Sequence, residues 1–380
     1  MSMRVLQVMA GAEHGGAELF FERLCIALHR AGLQQHIVTR PAPERIRRLV
    51  DAGLAPVTLP FGGRLDFQTP IRLRKEIARF KPHLALTWMN RATRFTPPGS
   101  YALCGRLGGF YDPRYYQNCD YVICNTDAIR THMINSGFPA DRAVHLPNFA
   151  PQTRMPPVAR KSLYTPEHVP VIFSLGRLHE NKGFDVLLKA IARVPEVYLW
   201  LAGEGPERQA LEQLAFELGI KPRIRFLGWR DDTAALYAAA NLVVFPSRHE
   251  PLGNVMLEAW SHGQALISTR AQGPSALITH GENGLLVPVD DAPALTAEIR
   301  RVLADPALLE KIATGGWNTF QASYTEEKIV QAYLSFFERA VSEKNGGTFV
   351  PATVGRPHTR PADIDPAGAA ASHTPDGSGS

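Results

Sequence analysis

The stretch LVVFPSRHEPLGNVMLEAWSHG, residues 242–263, changes period halfway along. LVVFPS is a short continuous apolar run of the kind that forms a fully buried strand. VMLEAWSHG carries its apolar residues at helical spacing and ends on a glycine. Between them RHEPLGN holds the proline, glycine and asparagine that turn one element into the next. A buried strand that passes at once into a helix is half of a βαβ unit, and such units build parallel sheets. Two acids, Glu250 and Glu258, stand in this stretch with seven residues and no lysine or arginine between them. An exposed helix usually pairs its acids with cations three or four residues away, so these two need another partner.

The alternation extends outward in both directions. In the second half PVIFSLGR, VYLWLAG, RIRFLG and QALISTR read as strands. GFDVLLKAIARV, PERQALEQLAFELG and DDTAALYAAA read as helices, and two more precede the last, EKIVQAYLSFFERAV. In the first half RVLQVM, QHIVTR, PVTLP, HLALTW and YVICNT read as strands, and AELFFERLCIALHRAG as an amphipathic helix closed by Gly32. TPIRLRKEIARFK sets Leu73, Ile77 and Phe80 on one face and Arg72, Lys75 and Arg79 on another. The period fails in the proline-rich LPNFAPQTRMPPVARKSLYTPEHVP.

The expected fold class is therefore α/β, with two parallel-sheet domains. The first covers residues 1–150, a proline-rich hinge 151–169, and the second 170–325. A last helix covers 326–343, and 344–380 reads as a disordered tail rich in Gly, Pro, Ala and Ser. Ligands of such sheets bind beyond the carboxyl ends of the strands, here in the cleft between the domains.

Composition narrows the class. The chain has 380 residues, 45% apolar and 20% charged, which suits two ordinary cores. No uninterrupted apolar run approaches the 18 or so residues of a membrane span. The start, MSMRVLQVMAGAEHGG, is a short strand that turns polar and is not read as a signal peptide. Cys25, Cys104, Cys119 and Cys124 form no CxxC pair and lie in apolar surroundings, as expected of reduced structural thiols in a cytoplasmic protein. Charge is uneven. Residues 1–150 hold 19 Lys and Arg against 11 Asp and Glu, whereas residues 151–343 hold 19 against 22. The basic first half suggests an anionic partner, though a merely solvated basic surface reads as well. No nucleic-acid partner is expected.

Three loops directly after strands carry the chemistry. In SLGRLHENKGFD, Arg177 and Lys182 flank a turn, with Gly183 opening a helix, a spacing that suits a diphosphate, although a merely basic surface loop reads as well. In RHEPLGNVMLE, Gly253 and Asn254 stand at a helix start, where backbone N–H groups and the helix dipole attract phosphate. Glu258 lies one turn inside and Glu250 just outside, each able to accept from vicinal hydroxyls, although two solvated acids are the plain alternative. In AGAEHGGAELF, Gly15 and Gly16 allow close backbone approach, although an ordinary strand–helix turn reads equally well.

Residues 170–340, through GRLHENKG, LAGEGPE, FLGW and above all the E-x7-E element HEPLGNVMLE with its following A-x-x-x-G, resemble the retaining GT-B glycosyltransferases of family four. The first half resembles them through its HGGAE loop and strand order. The resemblance implies the GT-B fold, two Rossmann-like domains facing a central cleft. It further implies that Arg177 and Lys182 hold the donor diphosphate and that Glu250 holds hydroxyls of the donor sugar. Leu252, Gly253, Asn254 and Val255 would cap phosphate and sugar, Glu258 would bind the ribose, Leu227 and Gly228 would face the base, and Gly16 would face the donor. The last helix is similar to one that crosses back to brace the first domain.

Where many relatives place a histidine near the reacting carbon, this chain reads TWMNRATRF and GRLGGFYD. That leaves His14, Gly15, Asn90, Arg91, Arg106 and Asp112 as acceptor-side candidates. The compact first half is similar to that of lipopolysaccharide-core and related surface-glycan transferases. Its Arg45, Arg47, Arg48, Arg72, Lys75 and Arg79 would then form a face toward a glycolipid acceptor and the anionic inner membrane surface.

The implied reaction moves a hexose from a UDP- or GDP-sugar to a hydroxyl with retention, needing neither metal nor other cofactor. Asp231-Asp232, a metal-binding pair in other transferases, precedes a helix and reads as an N-cap. A nicotinamide dehydrogenase would need GxGxxG, and GEGPER breaks that pattern at Pro206 and Arg208. A catalytically inactive binder of the same fold stands as the alternative, opposed by the intact Arg177, Lys182, Glu250 and Glu258.

Overall fold

A computed structural model describes residues 3–13, 15–63 and 65–347. Two wholly parallel sheets organise it. The first contains β1 (Arg4–Met9), β2 (Gln34–Thr39), β3 (Val57–Thr58), β4 (Leu84–Trp88), β5 (Ala102–Leu107), β6 (Tyr121–Cys124) and β7 (Ala143–His145), in the order β3-β2-β1-β4-β5-β6-β7. The second contains β8 (Val171–Leu175), β9 (Tyr198–Ala202), β10 (Ile224–Gly228), β11 (Leu242–Phe245), β12 (Leu266–Thr269) and β13 (Leu285–Val287), in the order β10-β9-β8-β11-β12-β13. In both, the chain reverses its direction of progress beside the first strand, between β1 and β4 and between β8 and β11. Those switch points open the crevice where such sheets take ligands.

Helices cover both faces, as parallel strands require. In the first lobe they are α1 (Gly16–Arg30), α2 (Pro43–Asp51), α3 (Gln68–Phe80), α4 (Met89–Phe95) and α5 (Asp127–Asn135). The second lobe adds α6 (Phe184–Ala192), α7 (Arg208–Glu217), α8 (Thr233–Ala239), α9 (Asn254–Ser261), α10 (Gln272–Leu277), α11 (Ala292–Ala304) and α12 (Pro306–Ser323). The last, α13 (Glu326–Lys344), returns to the first lobe. Its Ile329, Val330, Tyr333, Phe336, Phe337 and Ala340 share one core with Phe20, Leu24 and Leu28 of α1 and with Leu84 and Trp88 of β4. No described helix is long and apolar enough to cross a membrane.

The strand reading missed β5, because Gly105 and Arg106 interrupt its apolar run, and also the three-residue β7 and β13. It also missed α2, α4 and α5, and three helices, not two, separate β12 from α13. The last helix ends at Lys344, one residue past the expected boundary, and the expected tail falls largely on residues 348–380, outside those described. All four cysteines are buried thiols without a disulfide.

Two histidines at β2 and at the approach to β4 give the first lobe a pH dependence. Burial holds the His36 imidazole below its ordinary value despite Glu76 at 2.9 Å. Burial, and then the charge of Arg4, lower His83, whose Nδ1 accepts from the Arg4 backbone N–H at 3.1 Å and so must be unprotonated. A lowered folded-state pKa means that the unfolded chain binds more protons below about 6.5. The stability from the neutral imidazoles is therefore complete above that pH and is lost as pH falls through the folded values. The melting temperature is expected to drop between about pH 7 and about pH 5, and His36→Gln/His83→Gln to flatten that slope. An unchanged slope would remove both histidines from the account.

Candidate functional site

The site is assembled around the start of α9. Gly253 caps this helix at φ 86°, a left-handed conformation that favours glycine, and no side chain caps it. Uncapped first-turn N–H groups together with the helix dipole make an anion-binding end. Glu250 is fixed immediately before it. Its Oε1 accepts from the Gly253 N–H at 3.0 Å and its Oε2 from Lys182 Nζ at 2.5 Å. Lys182 also lies over the Phe245 ring, 5.1 Å from its centroid.

Lys182 reaches Glu250 because the loops after β8 and β11 are joined along their backbones. The N–H groups of Arg248 and His249 both donate to the Asn181 carbonyl, at 2.8 and 3.2 Å. The Arg248 guanidinium ties Asp185, Asp290 and the Glu180 carbonyl together. Gly183 completes the junction. At φ 63° it is left-handed, and a Cβ there would stand 2.2 Å from the Pro246 carbonyl oxygen, so no other residue fits. Arg177 is exposed on the same loop, and Leu227 and Gly228, half-buried, end β10.

Four residues past Asn254, Glu258 is nearly buried, at 9% exposure. One helical turn, about 5.4 Å, thus separates it from the anion-binding end. Its Oε1 accepts from Arg23 Nη1 of α1 at 2.9 Å, an ion pair across the two lobes. Asn254 also joins them. Its Oδ1 accepts from Asn148 Nδ2 at 2.7 Å, and its Nδ2 donates to the Gly16 carbonyl at 3.4 Å.

The family description "Glycosyl transferases group 1" matches residues 169–305, and "Glycosyltransferase Family 4" matches residues 14–154. The lipopolysaccharide core biosynthesis glycosyltransferase LpsD of Rhizobium meliloti is 37% identical over 347 residues, 90% of this chain and all of that protein. The chain belongs to the glycosyltransferases of family four. LpsE of the same organism, also described as a lipopolysaccharide core biosynthesis glycosyltransferase, is 38% identical over 84% of this chain and 95% of its own. HepE of Anabaena, solved in complex with UDP-glucose, superposes with a TM-score of 0.77 at 22% identity. It covers 88% of this chain and 99% of its own, and it shares the GT-B fold.

On the opposite wall of this glycosyltransferase, the loop after β1 is held from beneath. Glu18, buried on α1, accepts from the Ala12 N–H at 2.8 Å. Arg45 of α2 donates to the Ala12 and Glu13 carbonyls at 2.5 and 3.2 Å. Gly15 caps α1 and Gly16 begins it, whereas His14 lies outside the described residues. Met89, at the tip of β4, takes a left-handed φ of 62°, a strained conformation for a side chain of this size. It starts the turn that carries Asn90, half-buried, and Arg91, exposed.

One acceptor-side candidate is corrected. Arg106 is 1% exposed and enclosed. Its guanidinium stacks between Phe20 and Trp88, 4.6 and 4.7 Å from their centroids. It donates to the Tyr333 hydroxyl at 2.8 Å and to Asn148 Oδ1 at 2.5 Å, so it braces the lobe from inside. Asp112 is engaged by Arg114 at 2.5 Å.

The basic face also changes. Arg45 is buried, Arg47 and Arg48 pair with Glu44 and Glu22, and Arg79 pairs with Glu76, while Arg72 and Lys75 stay exposed. Asp232 stands at the N-cap of α8, but its carboxylate pairs with Arg230 at 2.6 Å instead of capping.

Sequence reasoning passed over Arg23 and Asn148, whose side chains reach α9 from the other lobe. Asn148 stands in the proline-rich stretch read only as a boundary. Arg23 read as the polar face of an amphipathic helix, and no local signal distinguishes it there.

Proposed function

We propose that this glycosyltransferase moves a hexosyl group from a nucleoside diphosphate sugar to a hydroxyl of a membrane-associated glycolipid, with retention of configuration, in lipopolysaccharide core assembly. The observation that carries the reading is the arrangement along α9. A cation-supported carboxylate, an uncapped helix start and a second carboxylate follow one another over little more than a helical turn. A sugar, a diphosphate and a ribose follow one another in the same sequence in the donor. The names of LpsD and LpsE favour the core-assembly role, and the UDP-glucose complex of HepE favours the donor class.

In this mechanism Arg177, Lys182 and the N–H groups at Asn254 and Val255 stabilise the departing diphosphate. Charge develops there as the bond from the anomeric carbon to the phosphate oxygen breaks. Glu250, held by Lys182 and Gly253, orients the sugar hydroxyls. The acceptor oxygen bonds to the anomeric carbon on the face the phosphate leaves, and its proton passes to the released phosphate oxygen. Configuration is retained and no protein nucleophile takes part. These protein cations supply the neutralising charge, so no metal ion is required. Leu252 caps the sugar, Leu227 and Gly228 face the base, and the Gly16 backbone faces the donor from the other wall. Gly15, Asn90 and Arg91 line the acceptor side, and the basic first lobe faces the anionic inner membrane surface.

Glu258 takes the ribose hydroxyls, and Arg23 is released when it does. A thermal-shift panel of UDP, GDP and their sugars is expected to show one nucleotide raising the melting temperature, since a ligand of the native state stabilises it. Glu258→Ala, read against its own unliganded melting temperature, should weaken that ligand at least about tenfold. Arg23→Ala should leave it as tight or tighter. A panel without any shift would defeat the donor reading. A nucleotide shift without transfer of labelled sugar would make the chain a binder instead of an enzyme.

A further inference from the structure

The first lobe's excess of positive charge concentrates where the sequence pattern did not point. A cleft of about 410 Å³ opens on its flank between α3, α4 and the single turn Pro113–Tyr116. Arg74 of α3, Arg94 of α4 and Arg114 of the turn all line it, with Tyr115 and Pro70 beside them. Among the described residues, Asp112 is the only carboxylate in ion-pair contact with any of the three, and it holds Arg114 alone. Arg94 lies over the Phe95 ring, 5.5 Å from its centroid. Arg74 and Arg94 carry no ion-paired carboxylate among the described residues, and an anion in the cleft would supply their counter-charge.

The cleft is separate from the nucleotide site. Its wall includes Pro97, Pro98 and Leu103, at the amino end of β5, whereas the site lies beyond the carboxyl ends of the strands. A six-residue strand spans roughly 20 Å. The segment that leads into α3, which carries Pro70 and Arg74 of the cleft wall, is apolar as well as basic. Leu65, Phe67 and Ile71, at the start of α3, are 84%, 71% and 55% exposed. Ile71 stands three and four residues before Arg74 and Lys75, on the same side of the helix.

We propose that this cleft binds the terminal phosphate of an anionic lipid, with Leu65, Phe67 and Ile71 entering the surrounding bilayer. A phosphomonoester offers three oxygens and a charge near −2, which matches the planar, multi-donor forks of Arg74 and Arg94, beside an Arg114 held by Asp112, better than a diester does. The exposed apolar residues point to lipid as the source of that phosphate, since a soluble phosphate would have no use for them. The inference rests on the reading of the first lobe as the membrane-facing one and adds to it a selective site.

The test is co-sedimentation of the full chain with phosphatidylcholine vesicles doped with phosphatidic acid or, at equal surface charge, with phosphatidylglycerol. The wild type is expected to prefer phosphatidic acid. Arg74→Gln/Arg94→Gln should lose that preference and bind phosphatidic acid vesicles roughly thirtyfold more weakly. Arg72→Gln/Lys75→Gln, which removes the same charge outside the cleft, should weaken both vesicle types alike and keep the preference.

A wild type without preference, or a preference intact in Arg74→Gln/Arg94→Gln, would overturn the site. Inorganic phosphate that binds through Arg74 and Arg94 while vesicle binding ignores them would overturn the lipid assignment. Nucleotide-induced thermal shifts should be equal in the wild type and both variants, so failure of the donor reading would be seen separately.

Discussion

Lys182→Ala is expected to lower kcat on the order of 10²–10³-fold, the loss typical when one preorganised charge or donor at a developing anion is removed. Lys182 serves two groups. Its Nζ holds Glu250 Oε2 at 2.5 Å, and Glu250 Oε1 in turn takes the Gly253 N–H at 3.0 Å. Its removal leaves Glu250, whose side chain is only 13% exposed, without its cation. Part of any loss could thus come from a displaced carboxylate and not from the leaving group. Lys182→Ala/Glu250→Gln separates the two effects. Glutamine keeps an oxygen for Gly253 and carries no unpaired charge, so its fold at α9 should be sound. If Lys182 neutralises the departing diphosphate, the double variant is on the order of 10²–10³-fold slower than Glu250→Gln alone. Single-turnover transfer measured beside melting temperature reads this directly, and recovery to within about tenfold of wild type would overturn the leaving-group role.

Arg106→Ala should destabilise the first lobe by about 3–5 kcal/mol, through a cavity and through orphaned hydrogen-bond partners. The guanidinium fills the space between Phe20 and Trp88, and it satisfies Asn148 Oδ1 and the Tyr333 hydroxyl. Alanine vacates that space and frees the contact between β5 and α13. The melting temperature should fall on the order of 10 °C. Lysine should not restore it, because a point charge cannot stack on two rings while donating in two directions. Asn148 also donates to Asn254 at the start of α9, so the loss extends to the lobe junction. Donor affinity per folded molecule should therefore fall together with stability. A variant that melts like the wild type would show that Arg106 is replaceable by solvent.

What could be read from the chain follows how local the determinants are. The α9 loop was legible because strand, proline, glycine, asparagine and both glutamates lie within 17 consecutive residues, 242–258. Lys182 and Glu250 could be named separately for the same reason, although the 2.5 Å contact that joins them spans 68 positions. Arg23 and Glu258 are 235 positions apart, and nothing in an amphipathic helix marks which of its polar residues will meet the other lobe. Charge misled in a second way. Arg45 counts toward the basic composition like any arginine, yet the fold buries it beneath the loop at Ala12 and Glu13. Arg106 was chosen as a polar residue in a loop because its strand could not be seen. Once β5 is placed between β4 and β6, burial follows. The basic face was legible only in part, because a charge count carries no information about which acid each arginine will find or that Arg45 would be buried.

The return of α13 bears on the order in which the protein can be made. The first lobe's strands are complete by His145, yet part of its core is supplied by residues 326–344. At a ribosomal pace of roughly 5–20 residues per second, that lobe waits about ten to forty seconds for its last helix. During the wait the apolar surface beneath α13, including Phe20, Leu24, Leu28 and Trp88, has no cover from the chain itself. The second lobe, whose sheet lies entirely between Val171 and Val287, emerges in full before the first can close. The lobe synthesised first is thus the one finished last, and in the nascent chain its apolar surface stays open the longest.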